Sequence, residues 1–96
     1  MLLGQVRELS FDQAERRIAR TLLNLAAQYG RPCPEGVRIS IRFTHQDVAG
    51  IINTSRITTN KVMKRMEEEG ILLKREGRYI LRALPALERL ARGEGQ

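Results

Sequence analysis

The chain has 96 residues, with 17 Lys and Arg against 11 Asp and Glu, a net charge of +6 and a pI near 10.4. That length gives one domain with a single modest core, and no apolar run approaches the roughly 18 residues of a membrane span, nor does the N-terminus have a signal-peptide layout. A lone Cys33 without His or Cys at ligand spacing points to a free thiol in a reducing cytoplasm and to no metal site, while two Tyr, two Phe and no Trp argue against base-stacking modules.

The positive surplus attracts polyphosphate in a salt-dependent way, and it is crowded into the second half as Arg56, Lys61, Lys64, Arg65, Lys74, Arg75, Arg78 and Arg82. Residues 1–9 place Leu2, Leu3, Val6 and Leu9 at helical spacing. A segment that short does not hold a helix alone in water, so it reads as the end of a longer helix or as an extended tag remnant. A main helix follows. Ser10-x-x-Gln13 and Asp12-x-x-Glu15 both fit a capping box, with Asp12 favoured as the cap. Ala14, Ile18, Leu22, Leu25 and Tyr29 form its apolar stripe, widened by Ala19, Leu23 and Ala26, and Gly30 stands where a left-handed C-terminal cap belongs. Residues 31–36, with Pro32, Pro34 and Gly36, are predicted to be a loop. The alternation over residues 38–43 predicts a half-buried strand.

Residues 44–69 carry a helix-turn-helix. Thr44 caps the first helix with Asp47 at the third position; Val48, Ile51 and Ile52 supply its buried side, and Ala49-Gly50 offers small residues for close approach of another backbone. Asn53 suits a tight turn that needs positive φ, and Ser55 caps a second helix over residues 56–69, stopped at Gly70. Residues 71–74 and 78–81 are short strands around Arg75-Glu76-Gly77, a hairpin with glycine at the left-handed position. Pro85 starts a last helix over residues 86–92, and residues 93–96 form a frayed tail. The expected fold is mainly α with a small β-hairpin wing, a winged helix-turn-helix over residues 10–92 with the wing at residues 71–82.

The second helix of the motif has two opposite faces. Thr59, Val62, Met63 and Met66 recur at core spacing, while Arg56, Ile57, Asn60, Lys61 and Lys64 fall on the other side. A solvated face has little use for an isoleucine flanked by cations and an amide. The DNA major groove does: Arg and Lys suit guanine edges and phosphates, Asn suits adenine, and an aliphatic suits the thymine methyl. Met63 and Met66 read as core fillers, and the run Glu67-Glu68-Glu69 as a solvated face. A single His45 at a helix start suits a phosphate-facing role better than metal binding or catalysis. With no nucleophile–base pair, carboxylate pair or phosphate-binding glycine loop, no enzyme is expected. The competing function is a winged helix used for protein–protein contact. A protein-binding face tends to be apolar or acidic, and this one presents donors.

The sequence resembles the C-terminal DNA-binding domain of the Crp/Fnr (cyclic-AMP receptor / fumarate-nitrate regulator) transcription factors. The likeness rests on Arg17-Ile18-Ala19-Arg20-Thr21-Leu22-Leu23-Asn24-Leu25-Ala26, on Gly36-Val37-Arg38-Ile39, and on Thr44-His45-Gln46-Asp47-Val48-Ala49 through Thr54-Ser55-Arg56. The order helix, Pro/Gly loop, strand, helix-turn-helix, wing completes it. The resemblance implies base-reading at Arg56 and Lys61, to which the groove-facing pattern adds Ile57 and Asn60. It implies backbone contacts at His45, Gln46, Ser55 and Thr58, to which we add Thr44, Lys64 and Arg78. Ile57 departs from the cytosine-reading glutamate of several members, Lys61 from arginine, Asn53 from the turn glycine and Thr59 from a buried valine. The resemblance also implies an N-terminal effector-binding β-roll and a long dimerising helix. Residues 1–9 are then the end of that helix, in an excised domain or a naturally truncated relative, with the excised domain favoured. Expected partners are double-stranded DNA and a second copy in the full-length context; residues 29–36 read either as plain surface or as the loop that in the resembling family can touch RNA polymerase. No cofactor is expected in this domain.

Overall fold

The computed structural model describes residues 9–94, so the expected helix end at residues 1–8 and the last two residues of the tail lie outside them. Helix α1 (Phe11–Tyr29) is capped by Ser10, not by Asp12. The Ser10 side chain accepts from the Gln13 amide at 3.1 Å, and the Gln13 side chain accepts from the Ser10 amide at 3.0 Å. This earlier start brings Phe11 and Leu9 against the core, an apolar gain that a cap at Asp12 forgoes. Ala14, Ile18, Ala19 and Leu22 are fully buried, whereas Tyr29, predicted in the stripe, is 40% exposed where the helix leaves the core.

Gly30 is not a left-handed cap. It is extended, with φ −77° and ψ 145°, and the chain passes directly into strand β1 (Gly30–Cys33), which pairs antiparallel with β2 (Gly36–Ile39). Glycine is required there for space: a Cβ would collide with the Ala26 carbonyl oxygen and lie 2.7 Å from Val37 Cγ1. The predicted loop at residues 31–36 is therefore a hairpin. Pro32 is tolerated because β1 is an edge strand, where a missing N–H breaks no second ladder. The predicted strand over residues 38–43 ends at Ile39 instead. The Ser40 N–H still donates to the Tyr29 carbonyl at 2.9 Å, but Tyr29 belongs to α1 and the Ser40 carbonyl accepts from Arg78 Nε at 2.8 Å, so the ladder goes no further.

Helix α2 (His45–Ile52) and helix α3 (Arg56–Glu68) form the helix-turn-helix. Thr44 and Asp47 make a reciprocal capping box, and Asn53 sits at φ 60° and ψ 52°, the left-handed conformation expected of it. Val48 and Ile52 are buried, but Ile51 is 60% exposed. The buried side of this short helix is made by Val48, Ala49 and Ile52, and Ile51 turns off it. Gly50 is also exposed, and a Cβ there would meet no atom within 4 Å, so it serves no close approach.

Strands β3 (Leu72–Arg75) and β4 (Arg78–Leu81) form the wing, joined by a two-residue turn in which Glu76 (φ 53°) and Gly77 (φ 79°) are both left-handed. Such a turn matches the twist of its strands. β4 also pairs with β2, so the wing is half of a four-stranded antiparallel sheet in the order β1-β2-β4-β3. Helix α4 (Leu84–Ala91), with Pro85 in its first turn, begins two residues before the predicted start and packs on α1. Tyr79 and Leu81 face the helices along with Ile39 and Leu72, joining Val62, Met63, Met66 and Leu87 in one core.

Candidate nucleic-acid interface

The amphipathic division of α3 is realised. Thr59, Val62, Met63 and Met66 are at most 1% exposed, while Arg56, Ile57, Asn60, Lys61 and Lys64 are exposed, Ile57 at 67%. Ser55 starts the helix by accepting from the Thr58 amide at 3.1 Å. Thr59 occupies a valine-shaped slot without leaving a buried hydroxyl unpaired, because that hydroxyl donates to the Ser55 carbonyl at 3.0 Å. Along the helix, Arg56 and Lys64 are separated by eight residues, or about 12 Å of rise. Among the described residues, Arg56, Lys61 and Lys64 form no ion pair. Arg65, on the flank, is paired with Glu69 at 3.0 Å, and that carboxylate raises its pKa.

The residues expected at the sugar-phosphate backbone are arranged around this helix, each with its own bonds. Thr44 and Gln46 are exposed at the start of α2. The Thr44 hydroxyl accepts from the Asp47 amide at 3.1 Å. The Ser55 hydroxyl donates to Thr58 Oγ1 at 3.1 Å, so both are engaged in the cap, with the Thr58 hydrogen left to offer. Arg78 is only partly exposed and commits Nε to Ser40. Its two terminal amino groups remain for an outside acceptor.

His45 and Asn60, assigned separately from the sequence, are brought together. His45 Nδ1 lies 2.7 Å from Asn60 Oδ1, and Nε2 lies 4.0 Å from Glu67 Oε2. The imidazole is stacked on the Tyr79 ring, with centroids 6.3 Å apart, and Tyr79 is stacked on Phe43 at 5.0 Å. Burial pushes the Tyr79 phenol up to about 12, with Glu67 adding in the same direction.

Two cations are not among the residues assigned to the interface from sequence, although Lys74 is counted in the basic second half. Arg42 reaches from the segment before α2 to the wing turn, donating to the Glu76 carbonyl at 3.5 Å and lying beside Gly77. Lys74 sits over the Tyr79 ring at 5.3 Å. Neither position carries a local signal, since each contact joins residues distant in sequence or in neighbouring strands. On the face of the sheet opposite Tyr79, Arg31 stands across from Arg38 and Arg75 across from Arg78, with Glu35 paired to Arg75 at 2.7 Å. Like charges directly opposite cost stability, and here two such pairs are retained. Among the described residues there is no group of three or more His, Cys, Asp or Glu placed to hold a metal ion, and no helix is long and apolar enough to cross a membrane.

A surface of this kind presents cations, an amide and one aliphatic on a rigid helix, which is chemistry for base edges and phosphates. Comparison with known proteins agrees. The profile of the Crp-like helix-turn-helix domain matches residues 16–90. The chain is 36% identical over 69 residues to the cAMP-activated global transcriptional regulator CRP of Salmonella typhimurium, covering 71% of this chain and 32% of that protein. It thus spans about a third of the length of the curated relatives it matches. A solved CRP-family transcriptional regulator from Thermus thermophilus superposes with a TM-score of 0.71 at 30% identity, covering 81% of this chain and 40% of that one. The CO-dependent transcription factor CooA from Carboxydothermus hydrogenoformans shares the fold, with a TM-score of 0.77 at 23% identity over 84% of this chain and 38% of that one.

Proposed function

The chain belongs to the family of Crp-like helix-turn-helix domains, and on that premise we propose that it binds double-stranded DNA sequence-specifically in transcriptional regulation, with α3 in the major groove. One observation carries this reading: the exposed face of α3 gathers Arg56, Asn60, Lys61 and Lys64 around a 67% exposed Ile57, while its other face is fully buried. A docking face for another protein would gain from apolar area, and this one is dominated by donors. Arg56, Ile57, Asn60 and Lys61 are assigned to base edges. Thr44, His45, Gln46, Ser55, Thr58, Lys64 and Arg78 are assigned to the phosphate backbone, joined now by Arg42 at the wing turn.

The reading extends to the partners. Dimerisation through a preceding helix would set two recognition helices one helical turn of DNA apart. The exposed β1–β2 hairpin, with Arg31 and Arg38 side by side, is the surface assigned to RNA polymerase. Effector binding is assigned to a domain outside this chain, the location to the cytoplasm, and catalysis to none of its residues.

A titration of the 96-residue chain against a palindromic duplex and a scrambled one tests the proposal. A single copy grips one half-site and lacks the effective concentration of a linked pair. The expected result is weak binding with a steep salt slope and a sequence preference small beside the salt effect. Tight binding that salt does not weaken, or no binding to duplex DNA at low salt, would refute it.

A further inference from the structure

We propose that His45 is a positioning residue for base reading: by donating from Nδ1 to Asn60 Oδ1 it fixes which end of the Asn60 amide faces the groove, so that Asn60 presents its NH2 and rejects cytosine. The inference rests on the DNA-binding reading above and goes beyond it in assigning a specificity to this pair. A carboxamide is ambivalent, with a carbonyl that accepts and an amino group that donates, and the two ends differ little in shape. Left free on an exposed helix face, Asn60 can turn either end outward at little cost. It then accepts from a cytosine amino group as readily as it donates to a purine N7 or a thymine O4.

The imidazole removes that freedom. Oδ1 can only accept, so the 2.7 Å contact is a hydrogen bond in a ring form that carries hydrogen on Nδ1. The ring itself is held. It is only 28% exposed, it stacks on Tyr79, which is 1% exposed, and Tyr79 stacks on Phe43. At its far side Nε2 faces the Glu67 carboxylate at 4.0 Å. The groups facing the pair therefore come from two elements: Tyr79 on the wing and Glu67 further along α3. With Oδ1 held inward, the planar amide turns Nδ2 and its two hydrogens away from His45. A base offering an acceptor is paired. A cytosine edge sets donor against donor, and one of them loses its water without a replacement bond.

Relative affinities over a duplex panel varied at each position of the half-site, at low salt, test this. Asn60→Ala identifies the position that Asn60 reads, by flattening its preference. At that position the wild-type chain is expected to disfavour cytosine by about five- to a hundredfold against the best base. In His45→Ala the amide is free to turn, and that ratio falls to within about threefold. His45→Arg, a side chain that can donate but never accept, restores at least part of the rejection. Because each result is a ratio within one variant, a general loss of affinity or stability does not imitate it. The 15N shift of His45 Nδ1 in the DNA-free protein gives a measurement independent of any variant, and it is expected to report a hydrogen-bearing nitrogen. Cytosine rejection unchanged in His45→Ala, no preference altered in Asn60→Ala, or a lone pair on Nδ1 overturns the proposal while leaving DNA binding standing. Failure of the wild-type chain to bind duplex DNA removes both.

Discussion

Arg56 and Lys64 lie on the same exposed face of α3 but should fail in different ways when truncated. The major groove is about 12 Å wide, and the eight-residue interval between them corresponds to about 12 Å of helix rise. With the N-terminal turn of α3 inserted, Arg56 reaches base edges and Lys64 meets the groove wall. Arg56→Ala removes a fork able to grip guanine O6 and N7 together, at a cost of about 1–3 kcal/mol on the preferred duplex, and it relaxes preference at one base pair. Lys64→Ala removes one phosphate contact. The slope of log affinity against log salt then becomes shallower by about 0.9, so between 50 and 200 mM salt the variant loses about 3.5-fold less affinity than the wild type. Fluorescence anisotropy with a preferred and a scrambled duplex, each at several salt concentrations, measures both quantities. Equal losses on both duplexes for the two variants, with equal changes in slope, would refute the insertion geometry.

Three further outcomes are expected. Ile57→Glu should move the preference at one half-site position from T·A to C·G, because isoleucine packs on the thymine methyl while glutamate accepts from the cytosine amino group; the wild-type discrimination should be around 1 kcal/mol, and an unchanged consensus in random-site selection leaves Ile57 without a reading role. Asn53→Val should cost about 1–2 kcal/mol by forcing a β-branched residue to φ 60°, lowering Tm by about 4–8 °C for each kcal/mol, whereas Asn53→Gly should remain within about 1 kcal/mol of the wild type. Tyr79 ionises more readily unfolded, at 10.0, than folded, at about 12, so its contribution is complete below pH 10 and fades as pH rises toward 12; urea melts across that range should show the wild type losing stability relative to Tyr79→Phe, and parallel curves would contradict the burial of the phenol.

The parts legible in the sequence are those whose instructions are local. Thr44 with Asp47, Ser55, and Asn53 at the turn each act within four residues, and the 3.6-residue period of α3 assigns both of its faces without reference to the rest of the chain. What failed depends on distant partners. Pro32 reads as a loop residue until β2 arrives beside it and leaves it on an edge. The alternation after Ile39 reads as strand until Arg78, 38 residues away, takes the Ser40 carbonyl. On sequence Asp12 is favoured over Ser10 as the cap, and the packing of Phe11 and Leu9 reverses that order. At the candidate site, composition and periodicity placed Arg56, Ile57, Asn60, Lys61 and Lys64 outward, but they could not pair His45 with Asn60 across 15 residues and two helices.

That pairing also ties the scaffold to the site. Asn53 sets the angle between α2 and α3, and α2 carries His45 while α3 carries Asn60, so the turn that makes the motif also sets the distance between them. Tyr79 anchors the imidazole from the wing and closes the core beneath it. A side chain with no reach into the groove can therefore alter what is read there, through the orientation of one amide. Asn53 and Tyr79 lie behind the reading face, and changes at either should appear first in base preference at the position of Asn60. The slope against salt, which counts phosphate contacts, should follow only when the helices themselves move.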